Sequence, residues 1–226
     1  MDKLVFLGQW LNLETYSFEK YIDFIENNFE TSFLEIEKKF KELKEIPEDD
    51  PIKERLDYNQ SYYDHLIDSA VDDHYEYNVF QQRYRYSVVI QLFIFFETEI
   101  SIFTENHKQN IKVEYKGTFL EKAKKTFKPK VDITKFPQYQ FLISFLELRN
   151  VIVHYNGRIK SNQPRINKKL DCIKALKKIN GFTLDETENI HSISYKVKIE
   201  NQEFLKYSLK QMEDFLSDLF DKLKEA

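Results

Sequence analysis

Chain breakers are scarce in this sequence: four glycines and five prolines in 226 residues. A sandwich or barrel needs turn residues at short intervals, so the scarcity favours long helices. Twenty Phe and 14 Tyr supply bulk for one sizeable core, and nothing in the length requires a second. The expected class is mainly α. Periodicity predicts helices over Lys3–Asn12, Phe18–Glu45, Gln60–Phe103, Thr118–Phe127, Gln138–Tyr155 and Glu203–Lys224. The Gln60–Phe103 stretch is expected to kink or break near Asp72–Asn78, and PEDDP at Pro47–Pro51 reads as a solvated link. Lysines dominate a loop and short helix over Asn156–Ile179. Gly181–Leu184 and Ser192–Glu200 alternate like a small β-hairpin before the last helix.

The segment YQFLISFLELRNVIVHY (Tyr139–Tyr155) carries the chemistry. At about 100° per residue, Leu142, Phe145, Leu146, Ile152 and Val153 form one apolar stripe, with Arg149 inside it. A guanidinium keeps its proton, so there it needs a carboxylate or an anionic ligand. Asn150 and His154 lie one turn apart, placing the amide to orient the imidazole. Asn156-Gly157 then stops the helix, leaving His154 near its C-terminus. One helix earlier, Val89, Phe93, Phe96, Ile100 and Phe103 make an inner stripe flanked by Glu97. That carboxylate is the expected bidentate partner of Arg149. A purely structural ion pair is the plainer reading.

The formal net charge of −4 is unevenly spread. Lys108–Lys178 holds 18 Lys plus Arg against five Asp plus Glu, leaving −17 for the remainder. Cations thus bracket the Arg149/His154 segment and point to a polyanion, with Arg158 and Lys160 as candidate phosphate contacts and Tyr155 as a base-stacking ring. Lysine-rich coding bias would explain the number of lysines but not their segregation.

The string LRNVIVHYNG (Leu148–Gly157), with the helix before it, resembles the signature of the HEPN family (higher eukaryotes and prokaryotes nucleotide-binding). There an Arg and, four to six residues on, a His close the penultimate core helix. The resemblance covers about Asn78 to Lys224. It implies a HEPN-like bundle over 78–226; residues 1–77, outside the resemblance, are expected as a helical extension packed on the core in one structural unit. It further implies a metal-independent endoribonuclease of the toxin or antiphage-defence kind, with Arg149, Asn150 and His154 as the catalytic set. RNA would be cut by 2′-hydroxyl attack on the adjacent phosphorus, with a homodimer supplying the second imidazole and an antitoxin or sensor subunit restraining it. No cofactor is called for.

Three rivals stand beside it. The first is a non-catalytic HEPN module that binds RNA or nucleotide. The second is a protein-interaction scaffold docking a basic partner on its acidic helices. The third is a metal hydrolase using His65, Asp68 and Asp72, one face of a helix without the paired ligand set such bundles need. One cysteine, Cys172, excludes an intramolecular disulfide and suggests the cytoplasm. No signal peptide is legible. Val88–Phe96 is half a bilayer span and reads as core, so no membrane is expected.

Overall fold

The computed structural model describes residues 3–44, 60–107, 117–160, 166–189 and 192–225; the expected link at Pro47–Pro51 lies outside them. Two compact units emerge: residues 1–22 with 85–226, and residues 23–84. Six α-helices and a three-stranded antiparallel sheet lie among the described residues, with the sheet's hairpin preceding the last helix. The mainly α class with a small β element is therefore correct.

Helix α1 (Lys3–Lys44) and helix α2 (Gln60–His107) are each continuous where breaks were expected. Polar side chains at the suspected breaks turn back onto the helix. Thr15 Oγ1 donates to the Leu11 carbonyl at 2.7 Å and Asn78 Nδ2 to the His74 carbonyl at 2.8 Å. Neither site contains proline, so the ladder runs on. In the unit 23–84, Phe29 gathers the rings of Tyr77, Phe80 and Tyr84, and the Tyr77 hydroxyl donates to the Phe29 carbonyl.

The larger unit holds the core. The C-terminal half of α2 buries Val89, Phe93, Phe96, Ile100 and Phe103, the expected stripe. By length and composition Val71–Glu105 could also span a bilayer. Helix α3 (Phe119–Phe127) opens with a reciprocal capping box, Thr118 with Glu121, and buries Leu120, Ala123 and Phe127. Helix α4 (Tyr139–Tyr155) follows a 3-10 turn at Ile133–Lys135. Helix α6 (Gln202–Glu225) inserts Phe204, Leu209, Met212, Phe215 and Leu219. Phe215 receives Phe96 and Phe136 edge-on, at centroid distances of 5.6 and 5.3 Å. Such tilted contacts suit the ring quadrupole and fix the helices' rotation.

Strand β1 (Arg158–Lys160) follows α4 directly, helix α5 (Ile166–Ala175) intervenes, and β2 (Phe182–Asn189) and β3 (Ser192–Ile199) complete the sheet in the order β1-β3-β2. Sequence patterning placed residues 158–160 in a loop and ended the first hairpin strand at Leu184; both expectations are corrected. Arg158 pairs with Lys196 and Lys160 with Ser194. Two side chains of α2 anchor the sheet. Arg85 Nη1 donates to the Ile199 carbonyl at 2.9 Å, and the buried Tyr86 hydroxyl donates to the Val197 carbonyl at 2.6 Å.

Candidate functional site

Helix α4 buries Leu142, Ser144, Phe145, Leu148, Val151 and Ile152. The buried stripe is therefore rotated from the expected one. Leu148 and Val151 are inside, and Val153 is 44% exposed. Apolar residues nearly encircle this helix, so periodicity alone could not choose the face. Arg149 stays at the edge of the stripe, half-buried.

The helix ends by backbone geometry. Asn156 takes the left-handed conformation (φ 50°, ψ 45°), and Gly157 follows at φ +73°. The amides of both turn back to the Val151 carbonyl, that of Gly157 at 3.1 Å, which satisfies a carbonyl of the last turn through a left-handed cap. A Cβ at residue 157 would overlap the Tyr86 phenol, so glycine is required twice over. Burial pushes the Tyr86 hydroxyl up to about 12, keeping it a neutral donor to β3. The turn thereby fixes where His154 and Arg158 leave the core.

Glu97 is not the partner of Arg149. No ion pair joins them; the guanidinium carbon instead stands 4.9 Å from the centroid of the Phe93 ring, one turn earlier on α2. Half-buried Glu97 keeps access to water, so it does not demand a counter-charge. The Phe93 face offers the guanidinium a stacking surface. Asn150 is also committed differently from the expectation. Its Oδ1 accepts from Arg149 Nη1 at 3.3 Å, so the amide steadies the guanidinium and not the His154 imidazole. Arg149 Nε is buried without a hydrogen-bond partner. Among the described residues no carboxylate lies within ion-pair distance of this cation.

His154 is exposed in the last turn of α4. Its ring lies edge-on to Tyr155, 6.3 Å between centroids. Tyr155 is 38% exposed, with Lys169 Nζ of α5 over its ring at 5.6 Å. Arg158 and Lys160 are both exposed on β1. The described part of the larger unit thus brings Arg149 and Asn150 together, leaves Glu97 apart, and sets His154, Tyr155, Arg158 and Lys160 at the surface around the end of α4. Phe93 and Lys169 were missed as partners. Phe93 lay in the expected stripe, but only packing decides which turn of α2 meets Arg149.

His65, Asp68 and Asp72 do not form a metal cluster, nor do any three His, Cys, Asp or Glu side chains among the described residues. Cys172 is half-buried and its thiol is pushed up, first by burial and then by Glu147, which suits an inert residue. No protein-family model, no curated protein and no solved structure matches this chain.

Proposed function

We propose that this chain is a metal-independent endoribonuclease acting as a twofold dimer. The carrying observation is a half-buried guanidinium with no carboxylate partner among the described residues, five residues before an exposed, helix-terminal imidazole. Arg149 has positive charge to offer an anion, and His154 has a proton-transfer group in reach of solvent. In the proposed reaction the RNA 2′-oxygen bonds to the adjacent phosphorus as its proton leaves to His154. The bond from phosphorus to the 5′-oxygen breaks, and that oxygen takes a proton from the partner subunit's imidazole. Products carry a 2′,3′-cyclic phosphate and a 5′-hydroxyl. Arg149, steadied by Phe93 and Asn150, would offset charge growing on the phosphoryl oxygens. A toxin or antiphage-defence role with a restraining antitoxin or sensor subunit belongs to the same proposal.

One observation favours a second reading, a non-catalytic RNA-binding or protein-interaction module. Residues five apart on a helix point about 140° from each other, so Arg149 and His154 do not share a face of α4. His154→Ala separates the readings. Cleavage should fall by at least about 100-fold, the usual worth of a general acid–base group, while RNA affinity holds within about twofold. Unchanged cleavage in that variant would end the catalytic assignment.

A further inference from the structure

The side of the sheet turned away from the core has a composition of its own. Strand alternation places Ile159, Tyr195, Val197, Phe182 and Leu184 inward, all buried. Outward go Arg158 and Lys160 of β1, Ser194, Lys196 and Lys198 of β3, and Thr183, Asp185 and Thr187 of β2. Four cations and three hydroxyls share this surface with two carboxylates, Asp185 and, one residue past β3, Glu200. Both are already committed: Glu200 Oε1 accepts from Thr183 Oγ1 at 2.6 Å, and Asp185 Oδ2 is 3.1 Å from Lys198 Nζ, a bond that holds the ammonium above its usual range.

Register sets two cations side by side. Arg158 stands directly opposite Lys196, which has Asp185 opposite it on the β2 side, and among the described residues neither cation has an ion-pair partner. Like charges facing each other across antiparallel strands, about 4.5–5.5 Å apart, destabilise the pairing. Lys160 adds a third cation two residues along β1, about 6.6 Å from Arg158. A polymer bearing regularly spaced anions would relieve the repulsion at each step, and the Ser194 hydroxyl opposite Lys160, held only by a long 3.4 Å bond to the Thr187 carbonyl, can turn to its oxygens.

We propose that the outward side of this sheet is a docking track for the phosphodiester backbone of RNA, with Arg158, Lys160 and Lys196 as its phosphate contacts. The track leaves α4 at the Asn156-Gly157 turn, so a strand lying on it is handed to the end of the helix that bears His154. This inference rests on the reading of the chain as an RNA-acting protein and adds where the substrate is held. It also makes the sheet, and not the lysine-rich helices, the main source of affinity.

The test is anisotropy of a labelled single-stranded oligoribonucleotide against the full chain across a salt series, with cleavage followed in parallel. Arg158→Gln/Lys160→Gln/Lys196→Gln should weaken binding about tenfold or more and reduce the log–log salt slope by about two, since each single-strand phosphate contact is worth about 0.7. Lys122→Gln/Lys124→Gln/Lys128→Gln, which removes equal charge from exposed positions at α3, should lose less than threefold. Arg158→Lys/Lys160→Arg/Lys196→Arg should retain binding, which guards against a fold defect in the neutral variant. Equal losses in the two neutral variants, or no RNA binding by the parent chain, would overturn the track. Competition by polyglutamate as strong as that by RNA would also overturn it, in favour of an acidic protein partner. The two proposals fail separately. Cleavage by the parent with sheet-independent binding removes the track alone, whereas sheet-dependent binding without cleavage removes the nuclease alone.

Discussion

Arg149 shows how one residue can be legible in type and illegible in circumstance. That a guanidinium on a core helix needs company follows from its charge; that the company is an aromatic ring does not. The Phe93 stack is worth about 0.5–2 kcal/mol. Arg149→Lys should therefore shift unfolding by no more than about 2 kcal/mol in urea titration. It should cut the initial rate of RNA cleavage at least about tenfold, because an ammonium cannot present the planar fork. A second residue, far from this site in sequence, has its own pH signature. Glu99 is buried on α2 and takes a hydrogen bond from Trp10 of α1; burial, followed by Glu14, outweighs that bond and raises its pKa above 4.5. A raised carboxyl is favoured protonated in the fold, so its contribution is complete below the ordinary carboxyl range. That contribution is lost as pH climbs through the raised value. Glu99→Gln should thus melt higher than the parent at pH 7, with the gap closing below pH 4.5. Melting curves across pH check this, and the chain's one tryptophan, Trp10, reports the same ionisation by fluorescence.

At the level of elements, the α4–β1 junction holds the candidate site in place. Tyr86→Phe removes the hydroxyl that caps the Val197 carbonyl and should cost about 1–2 kcal/mol. Gly157→Ala must relieve both a positive φ and an overlap with the same phenol, and should cost about 2 kcal/mol or more. Denaturant midpoints of the two variants test the order. Helices α4 and α6 were legible because long apolar periodicity outlasts local noise. For α6 the periodic Leu205, Leu209, Met212, Phe215, Leu216, Leu219 and Leu223 are all buried, joined by Phe204 and Ser208. The stripe of α4 was misjudged by a rotation because hydrophobic residues occupy most of its circumference. Strand β1 left no trace, since three residues, Arg158-Ile159-Lys160, are too few to show alternation. Its partner β3 lies more than thirty residues downstream. The continuity of α1 and α2 was missed for a different reason. Thr, Asn and Asp clusters signal turns in isolation, yet their side chains can equally bond back to the preceding turn.

For the molecule as a whole, the basic block and the candidate site fall together in the larger unit, which holds the C-terminal half of α2 and everything after it. Segregated charge of this kind steers a polyanion toward one region and makes its binding salt-dependent. His154 alone cannot both accept and donate the two protons of the proposed reaction at once, so the proposed enzyme includes a second copy of the chain. Light scattering should return twice the chain mass. The most direct test is incubation of purified protein with total RNA in excess EDTA, followed by analysis of the new ends. Cleavage should be undiminished, leaving 2′,3′-cyclic phosphate and 5′-hydroxyl termini. Intact RNA, cleavage abolished by the chelator, or 5′-phosphate ends would contradict the proposed reaction.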